Sequence, residues 1–114
     1  MNTDYVIKHH DDFLKPSVND MIFQGARCII VLKDKKVLGL VTEGDILRSS
    51  IKSFDWNPRL SEICNKNYYS LSENWNKLEL KKLLLKHKFI LVPVTDSQRN
   101  MIDILSIWDL IDEE

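Results

Sequence analysis

The chain carries the same pattern twice. Val37-Leu38-Gly39-Leu40-Val41-Thr42-Glu43-Gly44-Asp45-Ile46-Leu47 and Met101-Ile102-Asp103-Ile104-Leu105-Ser106-Ile107-Trp108-Asp109-Leu110-Ile111 stand 64 residues apart. Each is an apolar strand, a hydroxyl residue, an Asp three positions on, and further apolar residues. Upstream, Cys28 to Asp34 matches Ile90 to Asp96 at an offset of 62. Two residues are therefore gained in the turn, where Lys35-Lys36 faces Ser97-Gln98-Arg99-Asn100; turns tolerate insertion. At the same offset Val18, Met21 and Ile22 fall opposite Leu80, Leu83 and Leu84, and Tyr5-Val6-Ile7 opposite Asn67-Tyr68-Tyr69. An internal repeat restricts the fold to two similar units that share burial.

Local physics assigns the elements. Residues 28–32 form a β-branched run closed by Lys-Asp-Lys-Lys, a turn signal, and residues 37–41 form the second arm of that hairpin. Residues 91–94 and 102–105 repeat it, with Pro93 pointing to an edge or end position. Leu80, Leu83 and Leu84 make a helical stripe over Lys77 to His87. Asn76 is its expected N-cap, with Glu79 completing a capping box. The matching first-half helix has Pro16 and Ser17 near its start and Gly25 after its end, and reads as shorter and weaker. Residues 52–58 lack periodicity, which puts a linker at 53–59 between repeats at 1–52 and 60–114. Residues 60–64 read as one helical turn. The expectation is an α+β fold of two β-α-β-β-α repeats, packed by pseudo-twofold symmetry through their sheets. About 55 residues bury too little to stand alone, and the junction of such a pair offers clefts of the kind ligands prefer.

Composition removes several function classes. With 16 basic and 17 acidic residues among 114, net charge is −1, which supplies no broad field for nucleic acid or anionic lipid. No apolar run nears a membrane span, and Met1 to Asp4 lacks the features of a signal peptide. Cys28 and Cys64 stand outside metal-ligand spacing and read as reduced, partly buried thiols, in keeping with a cytoplasmic protein. His9-His10-Asp11-Asp12 has no third partner at a metal spacing and reads as a solvated stretch, so no metal site is expected. No nucleophile has a recognisable base and no glycine-rich phosphate loop occurs, so no catalytic residue is expected. Lys81, Lys82, Lys86 and Lys88 give one helix a basic face, which reads as solvated. Trp108 reads as packing, or as lining or blocking the second cleft.

Thr42 with Asp45, and Ser106 with Asp109, are the most informative polar feature. Two uses are open on the residues alone. A hydroxyl at a helix start caps it, and an Asp in the first turn meets the positive end of the helix dipole. Alternatively, a fixed carboxylate, which only accepts hydrogen bonds, can hold the two adjacent hydroxyls of a ribose, with the amides of the helix start taking phosphate oxygens.

The two long stretches quoted above, with Leu91-Val92-Pro93-Val94-Thr95-Asp96, resemble the CBS-domain pair, or Bateman module, over about residues 5 to 112. The resemblance implies a non-catalytic regulatory module that binds an adenine nucleotide (AMP, ADP or ATP) and requires no cofactor. Its ligand residues would be Thr42, Asp45, Ser106, Asp109 and Ser70. It also implies a homodimer and an attached or associated catalytic domain. Asp103 stands where Gly39 stands in the first repeat, and residues 8–13 lack the usual hydroxyl-rich lead-in. Thr42-Glu43-Gly44-Asp45-Ile46-Leu47-Arg48, followed by Leu60-Ser61-Glu62-Ile63-Cys64-Asn65-Lys66-Asn67, is similar to the CBS pairs that precede sugar-phosphate nucleotidyltransferases. The close at Asp112-Glu113-Glu114 suits a piece of a longer protein. A ligand-free dimerisation module, or a cytosolic regulator of a transporter, would keep the same fold.

Overall fold

A Gly-capped helix between parallel strands opens the chain. The structure is a computed structural model that describes residues 4–50, 56–87 and 91–111; Lys88, part of the linker and the acidic end fall outside these. The order is β1 (Tyr5–His9), α1 (Leu14–Gln24), β2 (Cys28–Lys33), β3 (Lys36–Thr42), α2 (Glu43–Ser50), α3 (Leu60–Ile63), α4 (Lys77–His87), β4 (Leu91–Thr95), β5 (Met101–Ser106) and α5 (Trp108–Ile111). This is an α+β chain of two repeats. It divides into two compact units, residues 1–34 with 38–68 and residues 35–37 with 69–114.

In the first unit β2 lies between β1 and β3. β1 pairs in parallel with β2 from Tyr5↔Cys28 to His9↔Leu32. Crossing back to a parallel strand requires a connection of some length, which α1 supplies. Gly25 ends α1 in the left-handed conformation (φ 70°), and the N–H of Ala26 reaches the carbonyl of Met21 at 2.9 Å. Only glycine adopts that backbone without strain. Val6, Leu14, Met21, Ile29, Val31, Val41, Leu60 and Cys64 form one buried core. Leu60 comes from α3, so the segment after the linker packs into the first unit. Arg59 anchors it, its guanidinium 4.7 Å from the centre of the Phe13 ring and donating to the Asp11 carbonyl at 2.9 Å.

In the second unit the capping box forms. Glu79 N donates to Asn76 Oδ1 at 2.9 Å, and Asn76 N to Glu79 Oε1 at 3.2 Å. Leu71, Leu80, Leu84, Val92, Val94 and Leu105 make its core. In the second hairpin turn, hydrogen bonds from the Asn100 side chain and backbone, then from Gln98 N, hold the Asp96 carboxyl below its ordinary range.

The structure corrects three expectations. α1 and α4 are both 11 residues long, so the first helix is not the shorter. They start 63 residues apart, and 63 also relates β2 to β4. Ser17 and Met21, exposed by only 1% and 5%, therefore match Leu80 and Leu84, whereas Ile22 is 68% exposed. Pairing apolar residues by identity misaligned the helices by one position, because the first core uses a serine. Ser17 is tolerated there because its hydroxyl donates to the Phe13 carbonyl at 2.7 Å, as buried polar groups require. The step from 63 to 64 falls in the second hairpin, where five residues separate β4 from β5 against two between β2 and β3, and where the register is irregular between Val94 and Thr95.

Third, no strand forms over residues 67–69; among the described residues β4 and β5 make a two-stranded sheet joined by one parallel bridge, Leu71↔Val94. Leu71 N donates to the Pro93 carbonyl at 3.0 Å, and Thr95 N to the Leu71 carbonyl at 2.9 Å. In a parallel ladder the next rung upstream would need the N–H of residue 93 as donor. Proline has none, and the ladder stops.

Candidate ligand site

Both hydroxyl–aspartate pairs lie where a strand turns into a helix. Thr42 ends β3 and Asp45 sits in the first turn of α2; Ser106 ends β5 and Asp109 sits in the first turn of α5. The spacing of three makes the carboxylate fold back. Asp45 Oδ2 accepts from Thr42 N at 2.9 Å and from Thr42 Oγ1 at 3.0 Å. Asp109 Oδ2 accepts from Ser106 N at 2.7 Å, while Ser106 Oγ accepts from Trp108 N at 3.2 Å. Each is a reciprocal helix cap. Ser70 is exposed and precedes the Leu71 bridge, apart from either junction in sequence.

The two junctions differ in ways set by their residues. At the first, Arg48 reaches back along α2 to Asp45 Oδ1, so both carboxylate oxygens are engaged. A Cβ on Gly44 would lie 3.4 Å from the Arg48 guanidinium, an ordinary van der Waals contact. Glu43, the first helical residue, accepts from Arg27 Nε at 3.0 Å. Two guanidinium groups and two carboxylates thus surround the helix start, leaving no net charge. At the second junction Trp108 replaces Gly44 and is 62% exposed, and the sequence has Asp112 in the place of Arg48. The arginines were missed by reading hydroxyl and acidic residues alone. The signal for Arg48 was its position three residues after Asp45, within helical reach.

Gly39 answers to packing. A Cβ there would stand 2.6 Å from the Asn65 carbonyl oxygen and 2.9 Å from Cys64 Sγ, because Leu40 and Asn65 exchange backbone hydrogen bonds of 3.1 and 2.8 Å. Asp103, its counterpart, is exposed, with its carboxylate accepting from Ile104 N at 2.8 Å. Burial, then the charge of Asp45, pushes the Cys28 thiol up to about 12. Burial likewise raises Cys64. Among the described residues no group of His, Cys, Asp or Glu is placed to hold a metal ion, and no helix is long and apolar enough to cross a membrane.

Twin strand-to-helix junctions, one on each of two related α+β units, define a tandem-repeat module. The CBS domain profile matches the chain twice, over residues 1–52 and 60–114, and the chain belongs to that family. It is a pair of CBS domains, a regulatory and non-catalytic module. Arabinose 5-phosphate isomerase KdsD of Francisella tularensis is 25% identical over 101 residues, which is 88% of this chain; the chain spans 31% of that relative's length. The crystal structure of CBSX2 in complex with AMP is similar with a TM-score of 0.80 and 16% identity, covering 92% of this chain and 83% of that one. The cytosolic domain of the Mg2+ channel MgtE in complex with ATP is similar with a TM-score of 0.77 and 19% identity, covering 98% of this chain and 46% of that one.

Proposed function

We propose that this CBS pair is a cytoplasmic sensor of an adenine nucleotide that governs an attached or associated sugar-phosphate enzyme. The observation that carries the reading is the polar cluster at the first junction, Thr42 with Asp45 at the start of α2. It sets a carboxylate, which could accept from ribose hydroxyls, at a helix start, where the dipole favours an anion. Solved proteins of the same fold in complex with AMP and with ATP support the ligand class. The isomerase relative supports a sugar-phosphate enzyme as the partner, with a nucleotidyltransferase as the finer form. In this reading Thr42 and Asp45 bind first, Ser106 and Asp109 form a second, weaker site, and Ser70 adds a hydroxyl. The module works as a homodimer, with repeats at 1–52 and 60–114 about a linker at 53–59. Regulation requires that the nucleotide bind one conformation of the whole better than another.

A ligand-free interaction module is the second reading, favoured by the internal capping of Asp45 and Asp109. A transporter in place of the enzyme would leave the module unchanged. Thermal unfolding with AMP, ADP, ATP and nucleotide sugars separates sensor from interaction unit. A ligand at a hundred times its dissociation constant adds about 2.7 kcal/mol. No stabilisation by any of them discards the sensor.

A further inference from the structure

We infer that the outer face of α4 is a docking surface for an acidic amphipathic helix of a partner protein. The inference does not depend on the nucleotide reading. Residues seven apart on a helix share a face, about 10 Å apart along the axis. Leu78 and Leu85 are such a pair, and each is 61% exposed. Leu80 and Leu84, turned away from them, are buried in the core of the second unit. The helix therefore has two apolar seams, and its own fold uses one.

The charge around the outer seam has one sign. Lys81, Lys82 and Lys86, all exposed, flank the two leucines. These five side chains line a groove of about 760 Å³ that takes in no carboxylate among the described residues. Glu79, the acidic residue of α4, is engaged in the capping box with Asn76. Elsewhere Lys8, Arg27 and Arg48 meet Asp20, Glu43 and Asp45. Among the described residues the three lysines of α4 meet no carboxylate. On a chain of net charge −1 this is a local excess of positive charge, set beside unburied leucine.

The complement is a helix with apolar residues at heptad spacing and carboxylates beside them, laid along α4 in the helix-in-groove manner. Its leucine-like residues would cover Leu78 and Leu85, and its carboxylates would meet the lysines, which sets its position and orientation. Packing α4 against α4 of a second copy would instead oppose lysine to lysine. A bilayer is a poor match, because a helix that lies in lipid buries a whole apolar face, and the larger apolar face of α4 is committed to the core.

Fluorescence anisotropy with the whole chain tests this. The probe is a fluorescein-labelled synthetic peptide of two heptads, with leucine at a and d and glutamate and alanine elsewhere. It should bind the wild type, and weaken as salt rises. A peptide of the same composition, shuffled to break the heptad, should bind at least about tenfold more weakly. The triple variant Lys81→Gln, Lys82→Gln, Lys86→Gln and the double variant Leu78→Ser, Leu85→Ser should each lose at least about tenfold in affinity, the first with a flattened salt dependence. Circular dichroism checks that these exposed substitutions leave the fold intact. No binding of the heptad peptide, equal binding of the shuffled one, or full binding by either variant overturns the assignment. So does preference for vesicles of phosphatidylcholine and phosphatidylserine over the peptide. Sedimentation of a wild-type dimer that either variant dissociates would give the face to a second copy and overturn it as well.

Discussion

The Asp45 carboxylate accepts the backbone N–H and the hydroxyl of Thr42 through one oxygen, at 2.9 and 3.0 Å. The same residue is thus a helix cap and the central group of the proposed site, and its removal should register in both. Asp45→Ala should cost about 1 kcal/mol of unfolding free energy, the usual size of a lost cap. The exposed Arg48 pair adds little to that. The variant should also lose nucleotide-induced stabilisation, and Asp109→Ala should lose less of it. Urea unfolding with and without AMP measures both effects. A variant that keeps its full ligand response would remove Asp45 from the site.

Gly39 is fixed by its neighbour rather than by its own backbone angles. The methyl of Gly39→Ala would meet the Asn65 carbonyl at 2.6 Å, a backbone atom that cannot turn aside. The loss should be about 1–3 kcal/mol, as for other overpacked sites. Asp103→Ala, at the exposed equivalent in the second repeat, should change stability by less than about 0.5 kcal/mol. Equal effects at the two positions would sink the explanation.

The same comparison shows what could be read in advance. The capping box of Asn76 and Glu79 and the hairpins were legible, because each rests on contacts between near neighbours. The junctions were legible too, since a hydroxyl and an Asp three residues apart at a strand end can fold back on each other. The offset of 63 was not. Ile22 looks like a core residue and is exposed, while Ser17 looks like a surface residue and is buried; only packing decides between them. The missing strand depended on which edge the absent N–H of Pro93 would face, a property of register rather than of composition. The return of Arg48 to Asp45 is a rotamer of a long exposed side chain, which spacing permits but does not select.

Leu80 is the fully buried member of the α4 stripe, with 0% exposure among Leu71, Leu84, Val92, Val94 and Leu105. Leu80→Ala should cost about 2–5 kcal/mol through lost burial and the cavity left behind. Leu78→Ala and Leu85→Ala, on the same helix but 61% exposed, should each stay within about 0.5 kcal/mol. Denaturant midpoints of the three variants give the ranking directly. A stability loss at Leu78 matching that at Leu80 would contradict the face assigned to the core.

Cys28 gives the chain an alkaline limit. Its thiol is 2% exposed and lies near enough to Asp45 to feel that charge, and its value rises from 9.0 to about 12. In the folded chain the thiol stays protonated where the unfolded chain would ionise. A group raised on folding adds stability that is complete below its unfolded value and is lost as pH climbs toward the folded one. Stability should therefore fall from about pH 9 upward, by about 1.4 kcal/mol for each pH unit crossed between the two values. Cys28→Val removes the titrating group at similar volume and should flatten that part of the curve. A thiolate-selective disulfide reagent at pH 8 should leave Cys28 unmodified in the folded chain and label it on unfolding, since the thiolate is the reactive form. Rapid labelling of native Cys28, or an unchanged alkaline slope in Cys28→Val, would contradict the burial of this strand.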